Sequence, residues 1–203
     1  MRQEKQKQPR ISRKPTISPE LPDGFSYWPD FVEESEEQRL VDQIGRLEFS
    51  AVVMHGVTAR RRVVHYGQIY GYESYRLAPG PPIPEFLLPI RARAAGLLEV
   101  RSDELAEALI TEYPPGAVIG WHRDAPQFGR IAGISLLSGC RMRFRYGEGE
   151  QRRIAAMELQ PRSAYILRGA ARAQWQHSIP AVKSLRYSIT FRTIRKTTRR
   201  DGS

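Results

Sequence analysis

Two stretches of the chain repeat their apolar residues at the period of a helix face. From Ser35 onward, Leu40, Val41, Ile44 and Leu47 recur three and four positions apart, and Ser35 with Gln38 three residues later reads as a capping box, so an amphipathic helix is predicted. In EFLLPIRARAAGLL, Phe86, Leu87, Ile90, Ala94 and Leu97 share a face, with Pro89 either early in the helix or breaking it. Between them, RRRVVHYGQIYGYESY is rich in Val, Ile and Tyr and punctuated by Gly67 and Gly71, which predicts a strand or hairpin carrying aromatic side chains. After Leu105 the period shortens. The runs ALITEY, AVIGWH, IAGISLL, RMRFRY, RIAAMEL, SAYILR, AQWQHSI and LRYSITFRT follow one another, separated by breakers such as Pro114-Pro115-Gly116 and Gly147-Glu148-Gly149. Short strands at this spacing leave no room for crossover helices and predict an antiparallel barrel or jelly roll. No repeat of fixed period is present, which argues against propellers and solenoids.

The 203 residues suffice for one substantial core, so a single domain with tails is expected. Order is expected to begin near Phe25–Trp28, after a disordered basic arm spanning residues 1–20. The formal charge is +10, but the arm carries +4 and residues 195–203 carry +3, leaving only +3 for the body. A polyanionic partner is therefore compatible with the charge but not demanded by it. No run of about 18 apolar residues and no basic-then-apolar leader is visible, so a soluble cytoplasmic protein without membrane association is expected. Cys140 is the sole cysteine, which excludes an intramolecular disulfide and reads as an inert core thiol.

Candidate chemistry concentrates in the second half. In GWHRDAP, residues i and i+2 of a strand project from one face, so His122 and Asp124 can present a nitrogen and an oxygen to one point. Alone, this pair is equally well two polar residues on the outside of a strand. The chain has only four histidines, His55, His65, His122 and His177, and His177 lies in a later strand that can pair beside His122; His55 reads as structural or incidental. Two His and one carboxylate leave coordination positions open, the arrangement suited to non-haem Fe(II), whereas a closed structural zinc site wants four protein ligands. In RYSITFR, alternation places Arg186, Ser188, Thr190 and Arg192 on one face, and Tyr187, Ile189 and Phe191 on the other, expected against the helices. The Arg face is either solvated or matched to an anion, and a dicarboxylate would satisfy both forks.

Together, EYPPGAVIGWHRD, HSIP and RYSITFR resemble the AlkB family of Fe(II)- and 2-oxoglutarate-dependent dioxygenases, over roughly Phe25 to Thr193. The resemblance implies an α+β fold with a double-stranded β-helix (jelly-roll) core, supporting N-terminal helices and a substrate-recognition lid. It implies an enzyme domain over residues 21–194, with a lid at 52–80 and the core at 105–194, followed by the basic tail. His122, Asp124 and His177 are the implied iron ligands. Tyr113, Arg186 and Arg192 are the implied 2-oxoglutarate contacts, with Ser188 between the arginines and Thr111 standing where many members place an asparagine. In the lid, Arg60, Arg61 and Arg62 would contact phosphates, and His65, Tyr66, Tyr70 or Tyr75 would stack on a base, against the plainer reading of a solvated basic run and packing tyrosines. The implied reaction is hydroxylation of an N-alkyl group on a DNA or RNA base with release of formaldehyde, using Fe(II), 2-oxoglutarate and O₂, by a monomer with nucleic acid as its partner. Two alternatives stand beside it: a 2-oxoglutarate oxygenase of a protein or small molecule, and a nucleic-acid binding module without turnover.

Overall fold

The computed structural model describes residues 15–16, 20–54, 56–71 and 74–195. Nearly all of the expected arm and tail, and His55, lie outside these. In chain order the elements are β1 (Phe25–Trp28), α1 (Glu34–Ile44), β2 (Ser50–Met54), β3 (Val57–Gly71), β4 (Arg76–Pro79), α2 (Leu88–Leu98), β5 (Leu105–Tyr113) and β6 (Ile119–His122). There follow β7 (Phe128–Leu136), β8 (Cys140–Tyr146), β9 (Arg153–Leu159), β10 (Ala164–Leu167), α3 (Gly169–Ala173), β11 (Gln176–Ile179) and β12 (Arg186–Ile194).

Both expected helices form. The capping box at Ser35 does not: α1 starts two residues earlier, Glu33 occupies the cap position without a side-chain bond, and Glu34, Glu36 and Glu37 set negative charge against the positive end of the helix. Pro89 sits in the first turn of α2, where its missing N–H has no partner to lose.

All pairings are antiparallel and fall into two sheets. The large sheet runs β1-β10-β7-β12-β5-β3-β2, with β4 hydrogen-bonded to β3; the small sheet runs β6-β11-β8-β9. The stretch expected as a lid is thus built into the far edge of the large sheet. β3 pairs with β5 over Arg62–Gly67 and switches to β4 at Gln68. Gly67 sits at the switch with φ +77°, and a Cβ there would meet the Ala106 carbonyl oxygen at 2.1 Å. Only glycine fits that crossing.

Alternation along the central strands separates two cores. Ala108, Ile110, Ile134, Tyr187, Ile189 and Phe191 turn to one side of the large sheet and pack with Leu40 and Ile44 of α1 and Ile90, Ala94 and Leu98 of α2. Tyr113, Ile131, Tyr165 and Leu167 turn to the other side and meet Met142, Phe144, Leu159 and Ile179 of the small sheet. Cys140 belongs to this second cluster, and burial pushes its thiol pKa up.

The expectation of a closed jelly-roll (double-stranded β-helix) barrel is corrected. The fold is α+β with two antiparallel sheets facing each other, and no ladder among the described residues joins their edges. On one side, β1 and β9 flank a groove of about 1190 Å³ lined by Phe25, Ser26, Ile154 and Ala156. On the other, β6 stands away from β2 and β3 across a second cavity. That open side holds the polar residues singled out in the sequence.

Candidate active site

The cavity between β6 and the edge of the large sheet has a volume of about 610 Å³. Its geometry starts at the β6–β11 pair, where His177 lies directly opposite His122. The next pairing is Ile179 with Ile119, so two residues of β6, Gly120 and Trp121, stand against one of β11. This bulge keeps Ile119 and His122 on the inner face while Trp121 points out, as bulges beside active sites commonly re-aim side chains. β6 ends at His122, so Asp124 reaches the same point from the loop that follows and not from strand alternation. Arg172 holds that loop, its guanidinium donating to the carbonyls of Ala125, Phe128 and Gly129 at 2.7–3.1 Å.

Ligating atoms of His122, Asp124 and His177 all lie within 4.8 Å of one another. His122 Nδ1 donates to the Gly120 carbonyl at 2.9 Å, which leaves Nε2 with its lone pair free. His177 Nε2 is 3.5 Å from Asp124 Oδ2. Asp124 Oδ1 is occupied by Arg192, whose Nε and Nη2 donate to it at 2.9 and 2.6 Å. The carboxylate is thereby oriented with Oδ2 toward the histidines. Burial pushes the Asp124 carboxyl up, but Arg192, then His177, His122 and Arg172, more than offset it and hold the group well below the usual carboxylate range. Burial dominates at His177 and lowers its pKa to about 3 against the pull of Asp124, so its imidazole is neutral at physiological pH. A neutral imidazole is the form that ligates a metal. Two nitrogens and one oxygen converging with other directions open fit Fe(II).

Behind the triad, β12 lies between β5 and β7, so Arg186 stands opposite Tyr113, and Ser188 opposite both Thr111 and Ser135. The alternation expected for RYSITFR holds, and its Arg-bearing face looks into the space between the sheets. The two arginines differ in occupation. Arg192 is engaged: besides Asp124, its Nη1 donates to Glu107 Oε2 at 2.6 Å, and Glu107 in turn accepts from His65 Nδ1 at 3.2 Å. Arg186 is fully buried, its Nε donates to Ser135 Oγ at 3.1 Å and its guanidinium lies 5.0 Å from the Tyr113 ring centroid. Its Nη1 and Nη2 are buried and have no hydrogen-bond partner among the described residues. A buried, half-satisfied guanidinium is costly unless an anion completes it.

The lid residues are dispersed. Arg61 and His65 line the cavity. Arg62 forks onto Glu112 through Nη2 at 2.8 and 2.9 Å, so that pair holds part of its guanidinium, while Arg60 is exposed. Tyr66 packs toward the helix-side core, Tyr70 is buried edge-on against Phe128 with ring centroids 6.5 Å apart, and Tyr75 is exposed at φ +55°. Glu107, Ser135 and Tyr165 escaped the sequence reading. Glu107 carried a signal, a carboxylate between apolar neighbours in the strand LAEALITEY.

The family model described as the 2OG-Fe(II) oxygenase superfamily matches residues 24–192, which bracket every residue of this site. The chain is a member of the AlkB/2OG-Fe(II) oxygenase superfamily. With its facial triad in place, it is an Fe(II)/2-oxoglutarate-dependent oxidoreductase. Uncharacterized protein L905 of Acanthamoeba polyphaga mimivirus is 30% identical to it over 85% of this chain and 86% of that protein. An "Alkylated DNA repair protein ALKBH8 homolog" of Arabidopsis thaliana is 29% identical over 85% of this chain, and a "tRNA (carboxymethyluridine(34)-5-O)-methyltransferase alkbh8" of Xenopus tropicalis is 28% identical over 84%. The oxygenase spans 58% of the Arabidopsis protein and 27% of the Xenopus one. Among solved structures, OsALKBH1 superposes with a TM-score of 0.66 at 13% identity, covering 89% of this chain and all of that one. A Pseudomonas putida prolyl-4-hydroxylase superposes at 0.61 and 15% identity, over 86% of this chain and 94% of that one. These two share the fold.

Proposed function

We propose that this oxygenase removes alkyl groups oxidatively from N-alkylated bases in DNA or RNA. Bound Fe(II), with 2-oxoglutarate and O₂, supplies oxidation of an unreactive C–H bond, 2-oxoglutarate leaving as succinate and CO₂. On an N-methyl group the product is an N-hydroxymethyl group, which splits into the free N–H base and formaldehyde.

The residues divide the work. His122, Asp124 and His177 would hold the metal, and Arg192 orients Asp124 so that its Oδ2 is turned toward His177. Arg186 takes the distal carboxylate of 2-oxoglutarate on its two unpaired nitrogens, with Tyr113, Thr111 and Ser188 around it. The unpaired Arg186 nitrogens carry this part of the reading, because a buried, half-satisfied fork opposite the cavity-lining Tyr113 is complementary to a bidentate carboxylate. Ile131, Tyr165, Leu167 and Ile179 line the rest of the cavity and keep water from the reacting carbon. His65 and Arg61 stand on the wall formed by β3, where an extruded base meets an imidazole face and a cation. Support for a nucleic-acid substrate comes from the names of the Arabidopsis and Xenopus relatives together with the Arg61 cation on this wall.

The test supplies iron, 2-oxoglutarate and a single-stranded oligonucleotide bearing 1-methyladenine or 3-methylcytosine. Succinate formed in step with demethylation is expected, and His122→Ala abolishes both. Succinate without base repair would move the substrate to a protein or small molecule, and no consumption of 2-oxoglutarate would overturn the assignment of the site.

A further inference from the structure

The small sheet has an outer face, turned away from the iron cavity, which the reaction does not use. Along β8, Met142 and Phe144 are buried between the sheets, so Arg141, Arg143 and Arg145 project outward. Their surroundings differ. Arg141 pairs with Glu158 across to β9 at 3.2 Å. Arg143 and Arg145 stand opposite Ala156 and Ile154, and neither makes an ion pair among the described residues. A solvated sheet face ordinarily sets opposite charges across such pairs, since these stabilise and like charges do not.

These two guanidinium groups are nevertheless ordered. Arg143 Nε donates to Ser178 Oγ at 3.2 Å and Arg145 Nε to Gln176 Oε1 at 2.6 Å, both on the neighbouring β11. Both groups lie over the indole of Trp121, 5.0 and 4.7 Å from its centroid. The β6 bulge that turns His122 inward is what turns Trp121 out beneath them. With Nε engaged and the plane resting on a ring, each guanidinium presents its outer nitrogens to solvent at little further entropic cost. Their spacing along the strand is about 7 Å, close to the reach between neighbouring phosphates of an extended single strand. β6 is the edge strand, and beyond it the exposed Arg123 leads to the cavity mouth.

We propose that Arg143 and Arg145, held on Trp121, bind the sugar-phosphate backbone of the single-stranded nucleic acid that carries the target base. The strand crosses the small sheet and passes over β6 beside Arg123 into the iron cavity. This proposal rests on the nucleic-acid reading above and adds a second surface to it, on the outside of the strand that supplies His122. Trp121 is already covered by the arginines, so its part is to position them and not to stack on a base. Unpaired cations facing solvent complement a polyanion; an acidic peptide is the competing occupant.

The experiment compares the full-length enzyme with Arg143→Gln/Arg145→Gln, which keeps side-chain bulk and the Trp121 platform. Binding of a modified 12-nucleotide single strand is followed by fluorescence anisotropy from about 50 to 200 mM salt. The double variant is expected to bind about tenfold more weakly at the low-salt end, with the slope of log K against log salt reduced by about 1.4, two phosphate contacts at about 0.7 each. The ratio of kcat/KM for the oligonucleotide to that for the free modified nucleoside, which is too short to reach the outer face, falls with it. A Tm rise on adding 2-oxoglutarate verifies that the variant is folded. If the parent oxidises the oligonucleotide and the folded variant keeps its affinity and slope, the outer face is not the backbone site, while the dealkylase reading stands. If the parent oxidises no nucleic acid, that reading falls and this one with it. Loss of acidic-peptide binding in the variant with oligonucleotide binding unchanged would likewise overturn it.

Discussion

Replacing Arg186 by methionine separates a structural from a ligand-binding role for the buried fork. In the chain alone, Arg186 is fully buried with two nitrogens unpaired. Exchanging such a charge for an apolar side chain of similar length relieves a desolvation cost of several kcal/mol. The lost bond to Ser135 Oγ offsets about 0.5–1.5 kcal/mol of that. The ligand-free variant is therefore expected to be as stable as the parent or more so, by up to about 3 kcal/mol. For a chain of this size each kcal/mol moves Tm by about 2–4 °C. The parent, held anaerobically with iron and 2-oxoglutarate at about 100 times Kd, gains about 2.7 kcal/mol, a rise of roughly 5–10 °C. In Arg186→Met the carboxylate meets no cation in a buried site, a loss of about 3–5 kcal/mol of binding, and the rise disappears at the same concentration. Differential scanning fluorimetry reads both halves. A variant less stable without ligand, yet still raised by 2-oxoglutarate as the parent is, would refute the assignment of Arg186 as the carboxylate site.

Glu107→Gln keeps the shape of the bridge between His65 and Arg192 but removes its charge; iron affinity and kcat/KM are expected to fall about 10–100-fold, measured by metal titration and succinate release. Asp124→Asn leaves one ligand oxygen but loses the charge that Arg192 orients, so Fe(II) binding, read by equilibrium dialysis, is expected to drop below detection at micromolar metal. Gly67→Ala forces a Cβ onto the Ala106 carbonyl at positive φ and is expected to cost more than about 1 kcal/mol in denaturant midpoint, with no effect on the triad's own contacts. Cys140 is buried and its pKa raised by burial, so a disulfide reagent at pH 8 is expected to modify it only on unfolding; because the folded thiol stays protonated where the unfolded chain's ionises, stability declines as pH rises through about 8.5.

Period-two alternation carried the inference where strands are regular. RYSITFR lies in β12 with strands on both sides, so its Tyr187, Ile189 and Phe191 face the helices and its arginines face the site, as the one-dimensional pattern requires. The same rule led to the right cluster at His122 and Asp124 by the wrong geometry. β6 is four residues long and bulged, and Asp124 stands beyond its end, placed by the loop that Arg172 ties down. Barrel closure was illegible for a different reason. It depends on whether β1 meets β9 and β6 meets β2, and those edge distances follow from strand lengths and twist accumulated over two sheets, not from any local pattern.

The division of labour between the two arginines of β12 shows what register adds to pattern. As letters, Arg186 and Arg192 are equivalent ends of a matched anion clamp. In the sheet, Arg192 falls opposite Glu107 of β5, 85 residues earlier in the chain, and within reach of Asp124; two carboxylates claim its fork. Arg186 falls opposite Tyr113 and beside Ser135, neither of which carries charge, so its fork stays open. One guanidinium consequently supports Asp124, and the other keeps two nitrogens unpaired among the described residues. Glu107 decides this allocation: with an uncharged residue there, Arg192 would retain an unsatisfied nitrogen and compete with Arg186 for the cosubstrate's carboxylates. On the proposed function, the buried carboxylate would thereby set the orientation in which 2-oxoglutarate binds, its distal end drawn to Arg186 because that cation has no carboxylate partner among the described residues.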